Sequence, residues 1–358
     1  MKHLFSVKEQ DLHDQARTVL LEILRQVPTL DVREEDSPQP CHGLKLRVSP
    51  PRGRPWFLHG EIKTNAYPKQ IRNAILHVSA SAGGRGNRHY PILIAPYISK
   101  EATRICQDGG VGCLDLSGNC HISFGNIHIH VEGKPNRFKE ERPLRSVFAP
   151  KSSRLLRVLL QGPLVPRKTT QLADAANVSL GLVSKLRTRL LDLEWARESG
   201  EGVKITRPDA VLDAWSREDR WEKRTTVREY SLLTTDPHEI ARRIHEYLGK
   251  TRHAFTQWFA AHLRHPYTAP PIVSLYVSRF PEESLLKSVL GARRVDSGGR
   301  LRLVLPDDEG VFLCCRETDG FPLVCDVQIY LDTLRAGQRG EEAARELRNW
   351  PDFCGGWS

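Results

Sequence analysis

At 358 residues, 39% hydrophobic and 27% charged, the chain is long enough for two or three cored domains. No run of eighteen apolar residues occurs, which argues against a helical membrane span, and the early stretch turns acidic without the apolar core of a secretory leader. The eight cysteines form no CxxC pair, so the chain reads as a cytoplasmic protein with reduced thiols. The net charge of +10 is uneven: residues 1–150 and residues 151–207 each carry +6, and residues 208–358 carry −2. Such a split suits a protein that meets a polyanion with its front and another partner with its back.

In chain order, residues 9–27 read as an amphipathic helix with Leu12, Ala16, Val19, Leu20, Ile23 and Leu24 on one stripe, ended by Pro28. Residues 31–41 are polar and turn-rich. A hairpin of GLKLRV and WFLHGEIK follows, then a helix from Pro68 with Ile71, Ala74, Ile75 and Val78 inward, and a loop at Gly83, Gly84 and Gly86. The unbroken apolar run PILIAPY predicts a buried strand. SKEATRICQDGG predicts a helix, VGCLDL another strand, and CHISF with IHIHV a hairpin about Gly125-Asn126. Residues 1–135 are therefore predicted to form an α/β domain.

A basic, proline-punctuated linker covers residues 136–151, and residues 152–207 have the parts of a winged helix-turn-helix. A first helix carries Leu155, Leu156, Leu159 and Leu160. A second opens at Thr169 or Thr170 and stops at Asn177, a residue that tolerates the left-handed conformation of a helix end. Ser179 caps a third helix over residues 180–195, in which Val183, Leu186, Leu190 and Leu193 face a core. Gly181, Ser184, Lys185 and Thr188 then fall on the opposite face. Residues 195–207 predict a hairpin wing about Ser199-Gly200-Glu201-Gly202 that carries Arg197, Lys204 and Arg207. Residues 208–235, with Trp215 and Trp221, read as a second linker. In residues 236–358 Asp236 caps a helix beginning at Pro237, with Ile240, Ile244 and Leu248 inward and Gly249 as its stop. A helix over residues 252–264, strands in IVSLYV, RLRLVLP, GVFLCC and LVCDVQIYLD, and a last helix over residues 341–349 complete an α+β domain.

A small, polar, basic helix face is what the major groove admits, because small residues permit close approach while hydroxyls and cations meet bases and phosphates. The DNA-contact candidates are Thr170, Ser179, Gly181, Ser184, Lys185, Arg187, Thr188, Arg189, Arg197 and Lys204. Glu61-x-Lys63 is the strongest catalytic hint, since a strand-borne acid and lysine two apart share a face. With its hairpin before and helix after, it resembles the PD-(D/E)xK, or restriction-endonuclease-like, fold. That resemblance implies a divalent metal on Glu61, a second acid, and Lys63 acting on the attacking water. The second acid belongs near the start of the preceding strand, at Cys41-His42-Gly43-Leu44, which holds no carboxylate; Asp31, Glu34, Glu35 and Asp36 lie upstream. On the Gly125-Asn126 hairpin, His121, Ser123, His128 and His130 share one face, either as zinc ligands or as a solvated or phosphate-facing surface. Cys106, Cys113 and Cys120 read as core thiols, and Asp115 as a turn cap.

Taken together, YPILIAPYISKEATRICQDGGVGCLDLSGNCHISF, EGKPNRF, RPLRSVFAPKSSRLLRVLL, the winged helix, SGGRLRLVLPDDEGVF and DVQIYLDTL resemble AbiEi-type antitoxins of type IV toxin–antitoxin systems and related bacterial transcriptional regulators. The resemblance implies an autoregulating repressor that binds double-stranded DNA, encoded beside a nucleotidyltransferase-like toxin. Its C-terminal domain would bind a toxin or other protein, or a second subunit. The nuclease-like front departs from relatives that begin with the winged helix. The expectation is thus a DNA-binding regulator with no cofactor. The alternatives are an Mg²⁺-dependent endonuclease acting through Glu61 and Lys63, and a non-catalytic DNA-binding adaptor of a defence or mobile-element complex.

Overall fold

The computed structural model describes residues 7–35, 43–82, 88–138, 147–337 and 339–357. Asp36, Cys41, His42, the glycine loop at 83–86 and linker residues 139–146 lie outside them. The fold is of mixed α and β type. Contacts divide it into two units, Met1–Pro143 and Leu144–Ser358.

In the first unit, helix α1 (Val7–Arg25) precedes strands β1 (Asp31–Glu34), β2 (Gly43–Ser49) and β3 (Trp56–Ile62). Helix α2 (Pro68–Ala82), β4 (His89–Ala95), α3 (Lys100–Asp108), β5 (Gly112–Asp115), β6 (Cys120–Phe124) and β7 (Ile127–Val131) follow. The seven strands lie in sequence order in one sheet. β3, β4 and β5 run parallel, while the flanking pairs are antiparallel. Parallel neighbours need a crossover, which α2 and α3 supply. Ala16, Leu20, Ile23 and Leu24 of α1 pack with Ile92 and Ile94 on one side of the sheet. Ile71, Ala74, Ala102, Ile105 and Cys106 pack with Leu93 and Ala95 on the other. Covered on both faces, β4 has no reason to alternate, and its apolar run follows.

In the second unit come α4 (Pro150–Leu160), α5 (Thr169–Ala176), α6 (Leu180–Asp192), β8 (Ala196–Ser199) and β9 (Gly202–Ile205). Next are α7 (Pro208–Glu218), α8 (Trp221–Arg224), β10 (Thr225–Ser231), α9 (Pro237–Leu248), β11 (His253–Thr256), α10 (Gln257–Arg264) and β12 (Val273–Val277). The remainder is α11 (Glu283–Leu290), β13 (Arg293–Val295), β14 (Leu301–Pro306), β15 (Arg316–Thr318), β16 (Phe321–Leu323), α12 (Asp326–Thr333) and α13 (Gly340–Asn349). β8 and β9 pair alone, and the other seven form a mixed sheet in the order β13-β10-β14-β12-β11-β16-β15. Leu156, Leu186 and Leu190 of the helical part share one continuous core with Phe255, Leu303 and Ile329.

Several sequence expectations are corrected. Residues 31–34 are strand rather than turn. β1 is a charged edge strand on β2, its Glu34 held by Arg17 and its Asp31 by Arg33, so it lacks an apolar alternation. The linker expected over residues 208–235 is folded. Val211, Leu212 and Trp215 bury α7, and β10 is an inner strand between β13 and β14. The helix expected over residues 252–264 is β11 followed by α10. The chain breaks at Gln257, whose φ of 53° is left-handed and whose buried amide donates to the Asp332 carbonyl and accepts from Arg302. GVFLCC forms a 3-10 turn (Glu309–Phe312), and LVCDVQIYLD holds α12 instead of a strand. α12 is buried all round and so shows no helical period.

Candidate nucleic-acid interface

The α5–α6 segment is shaped by two local devices. Asn177 takes the left-handed conformation, φ 50° and ψ 59°, and ends α5. Ser179 Oγ then accepts the Leu182 N–H at 3.3 Å and opens α6. The cap of α5 differs from expectation. It is Lys168, whose backbone N–H donates to Gln171 Oε1 at 3.0 Å, and the threonines already lie inside the first turn.

Val183, Leu186 and Leu190 of α6 are buried. Each large apolar side chain so buried stabilises the module by roughly 1.5–3 kcal/mol. Ser179, Gly181, Ser184, Lys185 and Thr188 are exposed, as is Thr170 on α5. A side chain at Gly181 would meet nothing within 4 Å, so this face opens onto free space. The Thr188 hydroxyl donates to the Ser184 carbonyl at 3.1 Å, which leaves its oxygen able to accept. Leu180 is 53% exposed at the start of the helix, an apolar group that sequence periodicity had not singled out.

The hairpin alternates as its sequence predicts. Ala196, Val203 and Ile205 are buried, while Arg197 stands directly opposite Lys204 on the other face. Like charges facing one another across a strand pair repel, and a polyanion relieves that repulsion. The hairpin is anchored through a backbone bridge. Arg167 donates to the Val203 carbonyl at 2.9 Å and accepts from the Val203 N–H at 3.0 Å. Any side chain at Gly202, whose φ is 131°, would run into the Arg167 carbonyl.

Two expected phosphate contacts are placed differently. Arg187 is tied to Glu198 of the hairpin at 2.5 Å, a link between α6 and β8. Arg189 is half-buried, and burial presses its pKa below the ordinary arginine value. Lys185, Arg197 and Lys204 are the cations this surface turns outward.

The strand end at Glu61 and Lys63 is arranged otherwise. Lys63 Nζ lies 2.6 Å from Glu61 Oε1, and the Lys63 N–H donates to the Ile94 carbonyl at 2.8 Å. Opposite Glu61 on β2 is Gly43, where any side chain would strike the Gly60 carbonyl. The nearest upstream acid in the ladder, Glu34, pairs with Leu46, three residues further along β2, and is held by Arg17. Among the described residues no group of three His, Cys, Asp or Glu side chains is placed to hold a metal ion. Among the described residues, the single carboxylate beside its own lysine supplies no set of ligands for a divalent cation.

The four side chains of that hairpin face divide into two pairs: His121 Nδ1 lies 3.3 Å from His130 Nδ1, and His128 Nδ1 lies 2.7 Å from Ser123 Oγ. Burial first, then His130 and His128, lower the pKa of His121. Asp115 is a turn cap. It is fully buried and accepts the Asn119 backbone N–H at 2.9 Å and the Asn119 side-chain amide at 2.9 Å. Cys106, Cys113 and Cys120 are buried, as core thiols are. No helix among the described residues is long and apolar enough to cross a membrane. Comparison with known proteins returns no matching family model, no curated relative and no solved structure.

Proposed function

We propose that the protein is a DNA-binding transcriptional regulator built on a winged helix-turn-helix over residues 152–207. Its α6 enters the major groove and its β8–β9 hairpin lies along the flanking backbone. The observation that carries this reading is the outer face of α6. Gly181, Ser184, Lys185 and Thr188 are all exposed, none is acidic, and nothing stands over Gly181. Ser184 and Thr188 supply hydroxyls for base edges or phosphates, Lys185 supplies charge, and Arg197 with Lys204 neutralise backbone. The resemblance to AbiEi-type antitoxins points the same way. It adds a toxin or other protein as the partner of the C-terminal part and a repressor's control of its own operon.

The test is fluorescence anisotropy with duplex DNA from upstream of the protein's own coding region, across a salt series. Specific binding should be accompanied by a linear fall of log affinity with log salt. Lys185→Ala should lower that slope by about one. Equal affinity for upstream and scrambled DNA, with a slope unmoved by Lys185→Ala, would overturn the assignment.

A metal-dependent nuclease is the second reading. What favours it is the element order around Glu61 and Lys63, a three-stranded antiparallel meander followed by a crossover helix and a parallel strand. Plasmid cleavage in Mg²⁺ or Mn²⁺ that vanishes in Glu61→Ala would establish it, and intact plasmid in both metals would remove it.

A further inference from the structure

The second unit contains a cavity of about 270 Å³ between α4, α7, α8 and α12. None of its lining residues belongs to α6 or to the β8–β9 hairpin. Its inner wall is built around Arg157 of α4, which is 4% exposed. The guanidinium donates from Nε and Nη2 to Gln328 Oε1, at 2.9 and 2.5 Å, and from Nη1 to Ser153 Oγ at 2.8 Å. All three bonds go to neutral oxygens. A guanidinium has five N–H donors. One on Nη1 and one on Nη2 therefore have no acceptor among the described residues. An unsatisfied buried donor is costly, and one on a cation more so.

The carboxylates nearby are engaged elsewhere. Asp219 accepts from Arg224 at 2.6 and 3.0 Å, Asp332 accepts from Arg224 at 2.8 Å, and Asp308 accepts from Arg154 at 2.8 and 2.9 Å. With Arg157 and Arg224 against Asp219 and Asp332, the inner charges sum to zero. At the exposed mouth Arg220 and Lys223 are offset by Glu218 and Asp307. The site therefore presents open donors without an excess positive field. Beside them stand two stacked rings, Phe148 and Trp215, with centroids 5.7 Å apart, and Arg157 lies over Trp215 at 5.3 Å.

We infer that this cavity is a binding site for a small monocarboxylate with a flat apolar body, whose carboxylate takes the open N–H groups of Arg157. A planar guanidinium edge matches a carboxylate, and the aromatic wall takes the remainder. A monoanion adds one charge to a site that is neutral overall and a dianion two, so the monocarboxylate is the less costly occupant. The volume lies just below the range for drug-sized ligands, which limits the occupant to something smaller. Occupancy bears on DNA through α4. Asp308 lines the cavity and holds Arg154, which in turn donates to the Asn177 carbonyl, at 3.4 Å, in the turn before α6. This last step rests on the proposed function, whereas the binding site does not.

The experiment is a calorimetric titration of the full chain, without DNA, using benzoate, benzyl alcohol and inorganic phosphate as probes. Benzoate should saturate at one site, with benzyl alcohol and phosphate at least about tenfold weaker. Arg157→Gln should abolish the heat. Because that buried substitution can impair folding, Lys223→Glu at the exposed mouth serves as a second variant and should weaken benzoate several-fold with unchanged circular dichroism. Overturning results are no saturation by benzoate, equal affinity for benzyl alcohol, or equal affinity in Lys223→Glu. With upstream DNA present, saturating benzoate should change DNA affinity at least about threefold. Benzoate binding without that change removes the regulatory step, and benzoate binding with no DNA binding at all counts against the DNA reading alone.

Discussion

The exposed outer face of α6 and the half-buried strand end at Glu61 and Lys63 are both polar and charged, yet they handle charge in opposite ways. At the strand end the lysine sits 2.6 Å from its own acid, and the pair cancels itself. On the α6–hairpin surface the positions one turn either side of Lys185 (Gly181, Leu182, Thr188 and Arg189) hold no acid, and Arg197 is set against another cation, Lys204. A charge satisfied within the chain contributes little to a partner. A charge left in surplus, or held against its like, is a call on an anion from outside. The lesson is that residue type alone points equally to both places, and pairing separates them.

That contrast can be tested from its strongest consequence downward. Leu190→Ala removes a fully buried side chain behind the α6 face and should cost about 2–5 kcal/mol in urea unfolding, DNA affinity falling only as folded protein is lost. Lys185→Glu should leave the unfolding midpoint unchanged and weaken DNA by more than about tenfold at low salt. Glu61→Ala should alter neither, and a comparable loss of DNA affinity in Glu61→Ala would erase the distinction between the two regions. Glu198→Ala breaks the half-exposed Arg187 pair, so stability should change by less than about 1 kcal/mol while DNA binding tightens as Arg187 becomes available.

The smallest effect is one of pH, away from both surfaces. Burial, with His245 at 2.8 Å, holds the His253 imidazole below its ordinary value of 6.5. The unfolded chain takes up this proton near that ordinary value, and the folded chain only at lower pH. The contribution of His253 is therefore complete above about pH 6.5 and declines as pH falls toward the folded pKa. Urea midpoints at pH 7.5 and 5.5 should differ in that direction, and the difference should shrink in His253→Gln.

Much of this was legible in the sequence where pattern and period agree. Val183, Leu186 and Leu190 marked α6, Asn177 the end of α5, and Ser179 and Asp236 the starts of α6 and α9. The 121–130 pairs follow from a two-residue turn. Legibility ended where burial is complete or absent. α12 is buried on every side, its polar Asp326, Gln328, Asp332 and Thr333 included, and β1 is polar on nearly every side, so neither carries a period. α7 and β10 read as a connector in sequence because charges surround Trp215 and Trp221. The ion pair of Arg187 with Glu198 and the bonds from Arg157 to Gln328 join residues 11 and 171 apart, which spacing cannot disclose.

Gly202 and its contact with Arg167 divide the hairpin into two parts with different freedom. At the base, the missing side chain lets two backbones touch, so substitution there shifts the whole ribbon away from its footing. At the tip, Gly200 faces open space, and added or altered residues would disturb nothing beneath them. The tip can then be lengthened or recharged without disturbing the pivot on which it is mounted.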